Sequence, residues 1–156
     1  MWYDTLPKEK QEEIREGLSK FKNPEKDAEL TQKFLEATLK YSAVFTPSGE
    51  YRRLASNVKR GEESEIRRWL DETDAKDTLE VGFAYGISAL VFAEHHQRMK
   101  NSGIRHTIID PNQFGKKDGH WEGIGVENLK RAGFIKGRNY RLIEKSSVYA
   151  LPELVP

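Results

Sequence analysis

The stretch Leu79-Glu80-Val81-Gly82-Phe83-Ala84-Tyr85-Gly86-Ile87-Ser88 decides the fold of this 156-residue chain. An apolar run that carries an acid, ends in a glycine turn and passes into a helical pattern reads as strand, tight turn and helix. Glycines at 82 and 86 let the main chain approach a ligand closely, and the N–H groups opening the next helix face a ligand's anionic groups. Such turns cradle nucleotide-type cofactors.

The glycine pattern narrows the cofactor. The dinucleotide fingerprint G-x-G-x-x-G requires glycine at 82, 84 and 87, where the chain has Gly82, Ala84 and Ile87. NAD is disfavoured, although it stays open if Ala84 tolerates a pyrophosphate. A phosphate loop of the form G-x-x-x-x-G-K-[ST] is also missing, since no Gly-Lys-Ser or Gly-Lys-Thr occurs. That removes P-loop kinase and GTPase chemistry.

Outward from the turn, strand and helix alternate: strands at 78–81, 106–109 and 140–143, helices at 87–99 and 121–132, with Gly133 as a helix stop. This alternation predicts an α/β fold with a Rossmann-like parallel sheet, whose ligands sit beyond the carboxyl ends of the strands. The second strand ends in Asp110-Pro111-Asn112-Gln113, where an acid accepts hydrogen bonds from the two hydroxyls of a ribose. The alternative is that Asp110-Pro111 only closes the strand with a turn. Residues 1–60 predict a helical cap: a narrow apolar stripe of Ile14, Leu18 and Phe21, then a helix after Asn23-Pro24 with Leu30, Phe34, Ala37 and Tyr41 on one face. Thr46-Pro47-Ser48-Gly49 joins two short extended pieces. A further helix over 62–72 turns Ile66, Trp69 and Leu70 inward.

Composition bounds the function. Lys and Arg (26) nearly balance Asp and Glu (25), which gives no electrostatic footprint for nucleic acid or an anionic membrane. The absence of cysteine excludes a thiol nucleophile, a disulfide framework and a Cys-based metal site. No apolar run approaches a membrane span and the N-terminus lacks a signal-peptide core, so the expected location is cytoplasmic.

The segment Glu80-Val81-Gly82-x-x-x-Gly86-x-Ser88, with its acid inside the strand, resembles the first motif of class I S-adenosylmethionine-dependent methyltransferases, in particular the O-methyltransferase-like branch. Asn128-Leu129-Lys130-Arg131-Ala132-Gly133-Phe134 looks like that family's second crossover helix. Ser146-Ser147 and Ala150-Leu151-Pro152-Glu153-Leu154 look like its segment after the third strand. The likeness runs from Gly61 to Leu154. It implies that the chain's three sheet strands stand in the order 3-2-1, as the cofactor-binding half of an incomplete domain; a full domain of this family has seven strands. It implies S-adenosylmethionine as cofactor, with Gly82 and Gly86 bordering its methionine part, Ser88 hydrogen-bonding its carboxylate and Glu80 organising the turn and meeting the ammonium through water. Asp110, followed by Pro111, would hold the ribose, and Ser146 or Ser147 would approach the adenine edge. Phe83, Ala84 and Tyr85 fill the variable positions; Phe83 and Tyr85 either touch the ligand or pack the crossover helix.

In that family a base or metal for transfer to a small-molecule acceptor follows a fourth strand, so no catalytic or metal-binding residue is assigned here. An uncovered sheet edge favours a homo-oligomer or pairing with a missing C-terminal half. The alternative to an enzyme is a non-catalytic S-adenosylmethionine- or nucleoside-binding module acting through a partner or a second copy. Among other residues, His95 and His96 diverge by about 100° on a helix and are expected at the surface or partly packed. His120, near Asp118, either faces the pocket as a proton acceptor or sits exposed while Trp121 packs. Arg52-Arg53 and Lys59-Arg60 read as a solvated face.

Overall fold

A computed structural model of the chain describes residues 2–21, 27–55, 59–115 and 120–155, with the side chain of Arg60 left aside. The expected helix start at Asn23-Pro24 and the residue Asp118 lie outside these. The first helix, α1 (Lys8–Leu18), buries Ile14 and Leu18, and a short 3-10 turn after it buries Phe21. Helix α2 (Ala28–Tyr41) opens on Asp27, whose carboxylate accepts the N–H groups of Glu29 (2.7 Å) and Leu30 (3.2 Å). That cap satisfies two donors a helix start leaves unpaired. Strands β1 (Ala43–Phe45) and β2 (Tyr51–Arg53) are the two short extended pieces expected on either side of Thr46–Gly49, and they pair antiparallel.

Helix α3 (Arg60–Thr73) extends beyond the expected 62–72 and does not turn Trp69 inward; Trp69 is 60% exposed while Leu70 is buried. The row that meets the neighbouring helix contains Ile66, Arg67 and Leu70, and Arg67 donates to Glu94 there at 2.6 Å. Trp69 falls about 100° from the centre of that row and lies beside Arg68 instead.

The sheet strands occupy the expected residues: β3 (Thr78–Val81), β4 (His106–Ile109) and β5 (Tyr140–Ile143), all parallel in the order β3-β4-β5. The crossover helices are α4 (Ile87–Arg98) and α5 (Ile124–Arg131), and a single turn, α6 (Ser147–Ala150), follows β5. The chain is thus α/β with a three-stranded parallel sheet. Helix α5 begins three residues later than the expected 121, because Glu122 and Gly123 adopt left-handed backbone (φ 54° and 74°) and hold Trp121–Gly123 as a turn.

β4 is buried along its whole length, whereas β3, at the edge, leaves Leu79 (45%) and Val81 (54%) exposed. Thr78 and Glu80, alternating with them, point toward α4. One hydrophobic cluster runs from Ile14, Leu18, Phe34 and Phe45 through Leu90, Ile108 and Leu129 to Tyr140. The N-terminal helices therefore share a core with the sheet. Among the described residues no helix is long and apolar enough to cross a membrane.

The crossing of α5 over the glycine turn depends on Gly125. A Cβ there would lie 2.8 Å from the carbonyl oxygen of Ala84 and 3.0 Å from the Phe83 ring. Gly125→Ala is expected to destabilise the protein by about 1–3 kcal/mol in thermal unfolding. Gly61→Ala, with open space around the added methyl, is expected to leave stability unchanged or slightly higher. Equal melting temperatures for Gly125→Ala and the parent would contradict this packing.

Candidate functional site

The glycine turn is built by hydrogen bonds to its own backbone. Gly82 N–H donates to the carbonyl of Ile109 (2.8 Å), which continues the ladder past the end of β3, and Gly86 N–H donates to Phe83 O (2.7 Å). Between them the Asp110 carboxylate enters. Its Oδ2 accepts Phe83 N–H at 2.8 Å and Ala84 N–H at 3.1 Å, and its Oδ1 accepts Asn112 N–H at 2.7 Å. Ala84 stands at φ 47°, which costs an L-residue roughly 1–2 kcal/mol. Its main chain is held from both sides, because Gln113 Nε2 donates to its carbonyl at 3.0 Å. Gln113 Oε1 accepts Gly125 N–H at 3.0 Å, and Asn128 Nδ2 donates to Tyr85 O at 2.8 Å. Two fully buried amide side chains thus clamp the turn to the start of α5.

Above the turn lies a cavity of about 650 Å³ lined by Gly82, Phe83, Ala84, Tyr85, Ser88 and Asp110 together with Glu62, Ile66 and Trp121. It sits at the carboxyl end of the parallel strands, the place the alternating pattern indicates. Its described ionisable groups are two carboxylates, Glu62 and Asp110, and the Tyr85 phenol, with neither lysine nor arginine. Burial pushes the Tyr85 phenol above its ordinary range, so it is neutral at pH 7. Tyr85 packs edge-on to Trp121 at 5.2 Å. Beside them Arg52 forms a two-pronged ion pair with Glu122 (2.9 and 3.0 Å) on the solvated face expected there, both side chains staying about two-fifths exposed.

Six of the expected ligand residues, Gly82, Phe83, Ala84, Tyr85, Ser88 and Asp110, border this cavity together. Of the two readings of Phe83, packing describes its ring, which is buried against Tyr140 edge-on at 6.3 Å and lies 2.9 Å from where a Cβ on Gly86 would be. Ser88 Oγ donates to Glu80 Oε2 at 2.7 Å. Its proton is therefore held by Glu80 and is not free for a ligand carboxylate, which leaves the hydroxyl as an acceptor. Glu80 lies beneath the turn, and its other oxygen meets His106 Nε2 at 3.1 Å. Pro111 follows Asp110 in the turn after β4. Ser146 and Ser147 stand at the start of α6, two strands from the glycine turn, or roughly 10 Å across the sheet. His120 turns its Nδ1 to the carbonyl of Phe114.

The expectation for His95 and His96 fails: both are only 1% exposed. Most of helix α4 is covered, so Glu94, His95 and His96 are buried and each finds a partner: Glu94 meets Arg67 at 2.6 Å, His95 Nε2 meets Ala75 O at 2.9 Å and His96 Nε2 meets Thr78 Oγ1 at 2.8 Å. Among the described residues no group of three metal-ligating side chains converges. The residues that sequence reasoning missed are Gln113, Asn128 and His106. The first two stand in motif segments, but Asn128 shows as a polar residue on a buried helix face only once the register of α5 is known, and Gln113, in the turn after β4, has no periodicity to mark it.

No protein-family model and no curated protein matches this chain.

Desolvation, reinforced by His106 and His95, lowers His96 to about 4 from an ordinary 6.5. The unfolded chain then binds a proton before the folded protein does, so stability falls as pH drops from about 6.5 to 4 and this contribution levels off below. The full effect reaches about 3 kcal/mol. Urea midpoints of the parent should fall faster over that window than those of His96→Gln. Parallel curves would show that His96 does not carry the effect.

Proposed function

We propose that the chain binds S-adenosylmethionine at the glycine turn, as the cofactor-binding part of a Rossmann-like, class I methyltransferase acting on a small molecule. The observation that carries this reading is the state of the turn's own donors. In a dinucleotide or phosphate site such N–H groups face the ligand. Here those of Phe83 and Ala84 are taken by Asp110, and the acids Glu62 and Asp110 line the cavity without a compensating cation among the described residues. A pyrophosphate would meet carboxylates, whereas a ligand with a sulfonium and an ammonium group would be attracted to them.

The residues fit the parts of that cofactor. Asp110 uses three of the roughly four acceptor positions of a carboxylate, so one remains for a ribose hydroxyl. The first turn of α4 offers unpaired N–H groups to the methionine carboxylate. The Ser88 oxygen, its proton given to Glu80, accepts from the ammonium. Adenine would extend across the strand ends toward Ser146 and Ser147. Bound there, the cofactor supplies an electrophilic methyl carbon for in-line displacement. The chain's own part is alignment: the clamped turn fixes the methionine end, and Tyr85, Trp121 and Ile66 supply the apolar part of the cavity lining against which an acceptor would pack.

A second reading, a non-catalytic binding module that works through another chain, is favoured by the open edge of β3 with Leu79 and Val81 exposed. An apolar groove of about 870 Å³, lined by Ile66, Trp69, Leu70, Thr73 and Phe92, also belongs to α3 and α4. Such edges and patches commonly mark interfaces.

Calorimetric titration separates the readings. S-adenosylhomocysteine is expected to bind and NAD to give no heat; the reverse result would overturn the proposal. Asp110→Ala should weaken S-adenosylhomocysteine at least about tenfold, and it should lower the unfolding free energy by about 1–3 kcal/mol through the orphaned N–H groups of Phe83 and Ala84. Retention of full affinity in that variant would remove Asp110 from the ligand's contacts. Methyl transfer to any acceptor by the chain alone would exclude the non-catalytic reading.

A further inference from the structure

Six side chains form a continuous hydrogen-bonded line along β3 and join two openings in the surface. At one end Asn101 borders a small cavity of about 160 Å³ beside Gln97, Phe134 and Arg138. At the other, Ser88 borders the ligand cavity. Between them Asn101 Nδ2 meets His96 Nδ1 at 3.0 Å, His96 Nε2 meets Thr78 Oγ1 at 2.8 Å and Thr78 Oγ1 meets His106 Nδ1 at 2.8 Å. His106 Nε2 then meets Glu80 Oε1 at 3.1 Å, and Glu80 Oε2 accepts from Ser88 at 2.7 Å. His96 and His106 are at most 1% exposed.

Chemistry gives this line a direction. An ionised carboxylate only accepts, so His106 must carry its proton on Nε2 and, as a neutral ring, accept at Nδ1. Thr78 must then donate to His106 and accept from His96 Nε2–H, and His96 Nδ1 must accept from the Asn101 amide. The 3.4 Å contact of Thr78 Oγ1 with the carbonyl of Arg105 is too long to compete. Each link leaves one orientation for the next.

We propose that the line is a proton relay through which the charge of the carboxylate beneath the ligand turn is set from the opposite end of the sheet. A solvent proton binds His96 Nδ1, and the His96 Nε2–H bond breaks as a new O–H bond forms on Thr78. The former Thr78 proton passes to His106 Nδ1, and the His106 Nε2 proton passes to Glu80 Oε1. One proton enters and one arrives, so both imidazoles end neutral in the opposite tautomer and Glu80 ends uncharged. The Asn101 side chain turns over to present its oxygen.

The surroundings suit transfer without a resident imidazolium. His96 is faced by Phe134, stacked at 6.2 Å, by His95 of α4 and His106 of β4, and more remotely by Asp77 and Arg105, which pair with each other at 3.3 Å. Phe92 of α4 stacks on His106 at 4.7 Å. Glu80 is met by His106 from β4 and by Ser88 from α4. With Glu80 ionised the Ser88 proton is held in a charge-assisted bond; with Glu80 neutral that hold weakens and the hydroxyl can turn to the cavity. The relay rests on this geometry and on no particular ligand.

Side-chain ¹⁵N NMR of the histidines tests it. At pH 7.5 both His96 and His106 are expected as neutral Nε2–H tautomers, and on acidification both should convert to Nδ1–H with one common midpoint. Thr78→Ser should keep the conversions coupled, and Thr78→Val should separate the midpoints by about one pH unit or more. His106 found as Nδ1–H at neutral pH, tautomer conversion of one ring without the other, or unchanged midpoints in Thr78→Val would each overturn the relay. The tautomers of the parent decide the matter even if Thr78→Val does not fold.

Discussion

The Asp110 carboxylate holds three backbone N–H groups from two separate turns, those of Phe83 and Ala84 after β3 and that of Asn112 after β4. A backbone donor buried without a partner costs about 1–3 kcal/mol, so the grip supports the left-handed Ala84 that the turn requires. It also fixes the spacing of the strand ends, because both turns are tied to one side chain. Gln113 and Asn128 extend the same arrangement to α5, whose glycine at 125 lets the helix approach the turn to van der Waals distance. The position of the cavity follows from these contacts more than from the sheet itself.

Helix α4 is the second constraint. It is covered by α2, α3, α5 and the sheet, and its sequence accordingly lacks a polar face: Ile87, Ala89, Leu90, Val91 and Ala93 are buried, and so are Glu94, His95 and His96. Buried polar groups are tolerated when they are bonded. Glu94 receives Arg67 and Arg98, His95 meets a carbonyl, and His96 meets Thr78. These bonds knit α3, α4 and β3 into one layer beneath the glycine turn, so the helix that presents Ser88 is fixed along its length.

Much of the architecture was legible in local patterns. The strand residues Thr78–Val81, His106–Ile109 and Tyr140–Ile143 are short β-prone runs, each with Asp, Gly or Asn on at least one flank, and the pattern located all three. The glycine turn and its partner Asp110 were legible as a constellation, since backbone geometry leaves few residues able to stand there. The buried histidines were not, because burial of α4 depends on four elements distant in sequence. Trp69 misled for a related reason: its spacing is correct for a helix face, but the Arg67–Glu94 ion pair sets which face is inward. The start of α5 moved because two successive left-handed residues, one of them Glu122, are uncommon enough that periodicity favours a helix there.

Asp110 answers two descriptions at once. Strand-end spacing gives it to a ribose, while a turn reading gives it to the backbone. The structure joins these: the carboxylate supports the turn, and by doing so removes the donors that would attract a phosphate. A glycine at position 84 would relieve the left-handed strain, but it would also loosen the backbone that presents those N–H groups to Asp110. Alanine there, with its peptide held on both sides, keeps the Phe83 and Ala84 N–H groups on Asp110. The acid that shapes the turn has thus already taken the hydrogen bonds of Phe83 and Ala84, and no further clash or unpaired charge is needed to keep those two donors from another acceptor.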